Sequence, residues 1–169
     1  MSESGAETSG TVCKSKALPD ETPSIWNGVT PEMIHEILHI FEYPALIEEF
    51  DSCHIIKSSC HGISFIIALS NYDIEHETYY KMSATAHYEI GNFTFREMNQ
   101  FNASNSYFKG YIEEDGGATI QMDLYVGHEI THMQLARWFQ LWGAVMFTFE
   151  DYWYEMSEDY GEPSEDHWC

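Results

Sequence analysis

The chain has 169 residues, 44% of them hydrophobic and 15% aromatic, with 7 Lys+Arg against 28 Asp+Glu and a formal net charge of -21. That length suits one domain, large enough to bury a core without metal or disulfide staples. The charge excludes nucleic acid and anionic membrane as partners, because no basic patch offsets the repulsion of their phosphates.

No run of about 18 apolar residues is available to cross a bilayer. Met1 to Thr11 is rich in Ser, Gly and Glu, unlike a basic-then-apolar leader. The expectation is a soluble cytoplasmic protein. Residues 1–24 hold few large apolar side chains and predict a disordered tail, with a single domain over 25–156. Residues 157–169, interrupted by Gly161 and Pro163, predict an acidic flexible tail.

Within the domain, Thr30-Pro31-Glu32 supplies a cap, a proline at the first helical position and an early acid. Ile34, Ile37, Leu38 and Phe41 then form one face of a short helix that Tyr43-Pro44 ends. Ala45 to Phe50 and His54 to Ser58 predict strands around Asp51-Ser52; His61-Gly62 predicts a turn and Ile63 to Ser70 a further strand. Next, Tyr80, Met82, Ala84, Ala86 and Tyr88 alternate with Tyr79, Lys81, Ser83, Thr85 and His87, the period of a sheet with one face in the core. Gly91-Asn92 breaks that strand. Thr94 with Glu97 then forms a capping box ahead of a helix burying Phe95, Met98 and Phe101.

A strand over Tyr107 to Glu113 turns at Asp115-Gly116-Gly117 and returns as Ala118 to Val126. In the return strand Ala118, Ile120, Met122, Leu124 and Val126 point one way, and Thr119, Gln121, Asp123 and Tyr125 the other. Thr131 with Gln134 opens a long helix whose broad apolar arc holds Leu135, Trp138, Phe139, Trp142, Val145, Met146, Phe149, Trp153 and Met156. Leu141, Phe147 and Tyr154 lie at the margins of the arc and are the candidates for a partner or dimer interface. Strands with one polar face argue against a parallel sheet covered on both sides. The predicted fold class is α+β in two layers, an antiparallel sheet packed on one face by helices, in the order α-β-β-β-(β)-α-β-β-α.

Two segments match the zinc-protease string, His35-Glu36-Ile37-Leu38-His39 and His128-Glu129-Ile130-Thr131-His132. In the first, a helix sets both imidazoles on one side with Glu36 beside them, toward the edge of the buried face and with no unambiguous third ligand. The second begins before its helix cap. Surface histidines are therefore the default, and no cofactor is expected. Cys13, Cys53, Cys60 and Cys169 do not form a secreted disulfide framework; Cys53 and Cys60 flank a strand and turn close enough to pair, although free thiols are the simpler expectation. Cys60 beside His61 lacks nucleophile geometry, since neighbours on a strand face opposite ways. No phosphate-binding glycine loop occurs, and Glu48, Glu49 and Asp51, like Glu113 to Asp115, do not follow a calcium-loop spacing.

The order of Asn99-Gln100-Phe101-Asn102, Phe108-Lys109-Gly110-Tyr111, Glu113-Glu114-Asp115-Gly116, Gln121-Met122-Asp123-Leu124 and Gly127 through Leu135 resembles the YbjN family, assigned to bacterial sensory transduction regulation. The resemblance covers roughly residues 30–149. It implies a fold like that of class I type III secretion chaperones, small acidic proteins that often dimerise and hold partner polypeptides. It marks Asn99, Asn102, Gly116 and Asp123 as motif positions and supplies no catalytic residues. Read on their own, Gly116 is a hairpin glycine, Asn99 and Asn102 cap or bridge helix and strand, and Asp123 sits on the polar face of its strand.

Together these readings predict a non-enzymatic regulatory or chaperone-like module that binds another polypeptide, one with a basic surface that answers the acid excess, and that is a candidate homodimer. The alternatives are a zinc-dependent hydrolase centred on His35, Glu36 and His39, and a module that only self-associates through its last helix.

Overall fold

The structure, a computed structural model, describes residues 25–50, 53–89, 93–127 and 129–159. The elements in chain order are β1 (Ile25–Trp26), α1 (Pro31–Ile40), β2 (Ala45–Phe50), β3 (Cys53–Cys60), β4 (Ile63–Asp73), β5 (Thr78–Tyr88), α2 (Phe95–Ser104), β6 (Lys109–Ile112), β7 (Ala118–Tyr125), β8 (Ile130–Thr131) and α3 (His132–Asp159). The six longer strands form one sheet in the order β2-β3-β4-β5-β7-β6, every pairing antiparallel. The three helices pack on it, giving the two-layer α+β fold. The last hairpin is inverted relative to chain order: its return strand β7 lies against β5, and β6 becomes an edge.

Local chemistry accounts for the helix boundaries. Thr30 accepts a hydrogen bond from the Met33 N–H and Pro31 occupies the first turn, where its missing N–H costs nothing. At α2, Thr94 Oγ1 accepts from the Glu97 N–H while the Glu97 carboxylate accepts from the Thr94 N–H at 2.6 Å, a reciprocal capping box. Thr131 and Gln134 make the same exchange at α3. That helix continues to Asp159, past the domain boundary expected at Met156.

Alternation sends Ile56, Phe65, Ile67, Leu69, Met82, Ala84, Ala86, Ile120 and Met122 to the helix side of the sheet, where they are buried. From above, α1 contributes Ile34, Ile37 and Leu38, α2 contributes Met98 and Phe101, and α3 contributes Leu135, Phe139, Trp142, Met146 and Phe149. Trp153 and Met156, expected in that arc, are half-buried.

Some side chains stand elsewhere than expected. Tyr79, expected on the polar face, is 3% exposed, whereas Tyr80, expected in the core, is half-buried. Tyr79 pairs with Tyr72 in the unbroken β4–β5 register, packs against its ring and has its hydroxyl 2.6 Å from His54 Nδ1, contacts that cover it. Phe95, expected to be buried, is 74% exposed at the first residue of α2. Cys53 and Cys60 form no disulfide, in line with the simpler expectation: they stand at opposite ends of β3, some ~23 Å apart at strand rise, too far to bridge. Finally, the pair β1 and β8 was not anticipated; it ties Ile25 to Thr131 and Trp26 to Ile130, fastening the start of the domain to the start of α3.

Burial has one consequence that pH exposes. Desolvation pushes the Tyr88 phenol well above the ordinary tyrosine range, reinforced by the charge of Glu150, and its hydroxyl donates to the Met146 carbonyl at 3.3 Å. The fold favours the neutral phenol. Its contribution is complete below the unfolded value of about 10 and is lost as pH rises toward the folded value. Alkaline titration followed by phenolate absorbance should show a late step coupled to unfolding, absent in Tyr88→Phe; identical titration curves would contradict this.

Candidate functional site

Helix α1 places His35, Glu36 and His39 in solvent, on the side away from Ile34, Ile37 and Leu38. The i, i+4 spacing does align the two imidazoles. Among the described residues, however, no group of three His, Cys, Asp or Glu side chains is placed to hold a metal ion. In the second string Glu129 is exposed, Ile130 and Thr131 belong to β8, and His132 opens α3 with its ring 5.8 Å edge-on to Trp26. The string thus straddles strand and helix, and His128 lies outside the described residues.

The outward side of α3 separates the three margin residues. At about 100° per residue, Phe147 and Tyr154 fall on one stripe with Asp151, while Leu141 lies about 120° away on the opposite margin. A single patch of all three is therefore ruled out by helix geometry. Phe147 is half-buried, its ring 5.1 Å from that of His61 in the β3–β4 turn, and Tyr154 is 53% exposed beside Trp153.

The motif positions divide by role. Asn102 donates from Nδ2 to the Gly110 carbonyl at 2.8 Å and accepts from the Gly110 N–H at 2.7 Å, acting as a substitute strand along the outer edge of β6. Asn99 is exposed on α2. Gly116 has φ +86, a conformation that an L side chain resists, and its N–H bonds the Glu113 carbonyl. Asp123 is exposed on the polar face of β7; burial pushes its carboxyl up, but hydrogen bonds from Ser83 and Gln121 and the charges of Lys81 and Lys109 outweigh that and hold it below the usual range.

Two groupings escaped the sequence reading. One is at the β4–β5 turn, where Asp73 accepts from the Tyr80 hydroxyl, pairs with His76 at 2.7 Å and accepts from the Glu75 N–H. Those bonds hold its carboxyl well below the usual range. No local signal extended β4 past Ser70 to make this visible. The other is the open face of the sheet. Reading across registered partners gives Leu46, Lys57, Ile66, Thr85, Gln121 and Lys109 in one row. Here the signal was present, since Lys57, Lys81 and Lys109 all fall in the polar phase of their strands.

An antiparallel sheet layered by helices on one side, with its reactive side chains distributed over surfaces, defines a two-layer α+β protein. The profile of the YbjN family, described as "Putative bacterial sensory transduction regulator", matches residues 30–154. The chain belongs to the YbjN family, whose description is that of a regulator and not of an enzyme. No curated protein matches it. No described helix is long and apolar enough to cross a membrane.

Proposed function

We propose that this chain is a non-enzymatic regulatory module that acts by holding another polypeptide, one with a basic surface, along the outer side of α3. The observation that carries this reading is the stripe of Phe147, Asp151 and Tyr154, in which aromatic area stands beside carboxylate on a rigid helix. Aromatic side chains supply apolar contact at low entropic cost, and the surrounding acid excess steers a basic partner toward them. The regulatory description of the family supports the same reading, as does the resemblance to secretion chaperones.

A zinc hydrolase at His35, Glu36 and His39 is the weaker reading, because α1 turns all three to solvent and a third ligand has to come from elsewhere. The test is capture of partners by the immobilised chain from extracts of the parent cell at low and physiological salt. Saturable capture, competed by free chain and weakened by salt, is expected. Failure to recover any competed partner at either salt contradicts the proposal, and one zinc per chain lost on His35→Ala favours the hydrolase.

A further inference from the structure

We infer that His61 makes the aromatic stripe of α3 sensitive to pH: with a neutral imidazole the stripe takes a basic polypeptide, and with an imidazolium it resists one. This control presupposes the partner site on α3 proposed above and adds regulation to it.

The backbone decides where the imidazole stands. Cys60 and Ile63 are registered partners, so His61 and Gly62 alone join β3 to β4. Both take positive φ, +50 and +87, the conformation of a tight hairpin turn whose twist matches its strands. Asn-Gly suits such a turn best; histidine is admitted there but is uncommon. His61 is exposed, and its ring meets that of Phe147 edge-on, centroids 5.1 Å apart and planes at 65°. A two-residue turn has little slack, so the imidazole is kept at the Phe147 end of the stripe. From there Asp151 lies about 6 Å and Tyr154 about 10 Å further along the helix.

Charge decides the direction of the effect. Imidazole is the side chain that ordinarily changes charge between about pH 5 and 8. The titratable groups on the elements around the turn are Cys60 on β3, Tyr88 and Glu89 at the end of β5, Glu150 and Asp151 on α3, and Glu42 and Tyr43 between α1 and β2. None of them is basic. A protonated His61 therefore sets a positive charge among the acids that draw a basic chain toward α3. It also occupies the ring that an incoming Lys or Arg would use, because an imidazolium is itself attracted to the π-system of Phe147. Both effects weaken binding as pH falls.

Fluorescence anisotropy of a labelled synthetic peptide of Lys, Leu and Ala, titrated with the full chain between pH 8 and pH 5.5 at fixed ionic strength, tests this. Affinity for the unmodified chain should fall by about fivefold or more across that range. His61→Asn, which suits the turn and so preserves the fold, should remove most of the fall. His76→Gln, at the opposite end of β4 and about 30 Å away at strand rise, should leave it intact. A fall that survives His61→Asn, or an affinity that holds or rises toward pH 5.5 in the unmodified chain, would overturn the inference. Equal binding to the unmodified chain and Tyr154→Glu at pH 8 would remove the α3 site itself, and this control with it. Nuclear magnetic resonance of the chain without peptide separates the two failures: the Phe147 ring signals follow the His61 titration if only the site is wrong, and stay fixed if the His61 contact is.

Discussion

Replacing Phe149 with alanine should destabilise the domain by about 3–5 kcal/mol, a large share of the roughly 5–15 kcal/mol that holds a protein of this kind folded. Phe149 is fully buried at the middle of α3, and its ring lies 4.9 Å from Tyr88, 5.8 Å from Phe93 and 4.9 Å from Phe101. It therefore joins β5, the lead-in to α2 and α2 itself through one side chain. Truncation removes the transfer energy of the ring and leaves a void that three separate elements would have to move to close. Urea unfolding followed by circular dichroism should show a lower midpoint with an unchanged slope. Thr148→Ala, one residue earlier on the exposed side, loses only a hydrogen bond to the Ala144 carbonyl and should be nearly neutral. Equal effects of the two substitutions would contradict the assignment of α3's buried face.

Gly110→Ala is expected to cost about 1–3 kcal/mol by overpacking, although its backbone conformation does not demand glycine. The reason is distance. A Cβ at Gly110 would sit 2.2 Å from Met98 Sδ and 3.2 Å from Met98 Cε, and Met98 is 3% exposed with little room to withdraw. The same contact brings Asn102 into reach of both backbone groups of Gly110, so pushing α2 away also strains two hydrogen bonds. Steric conflict predicts coupling: adding Met98→Ala to Gly110→Ala should yield a double variant less destabilised than the sum of the singles. Denaturant unfolding of all four chains measures this. Strict additivity would show that the close approach is not what Gly110 serves.

Much of the fold was legible because short-range patterns carried it. The Thr30-Pro31 and Thr94–Glu97 caps mark helix starts by chemistry that operates within one turn, and the alternation of Ala118 through Leu124 marks a strand by its period of two. What depends on distant partners was not legible. That β7 inserts between β5 and β6 follows from long-range pairing, for which no local pattern exists. A two-residue strand such as Ile25–Trp26 is too short to show a period. Tyr79 is buried through its contacts with Tyr72 and His54 on other strands, which the period of its own strand does not announce.

The candidate surfaces divide in the same way. The arc of α3 could be drawn from the sequence, yet grouping Leu141 with Phe147 and Tyr154 overlooked that the first lies across the helix from the other two. The open sheet face was obscured by the net charge itself. A total of -21 suggests acid everywhere, and only cross-strand register places Lys57, Lys81 and Lys109 on one side.

The proposal that a basic polypeptide is held along α3 is tested most directly by titrating the recovered partner, with fluorescence or calorimetric detection, against the unmodified chain, Tyr154→Glu and Ile66→Glu at two ionic strengths. Binding that falls as salt rises, disappears with Tyr154→Glu and persists with Ile66→Glu is the predicted result. Equal affinity for the unmodified chain and Tyr154→Glu would contradict it.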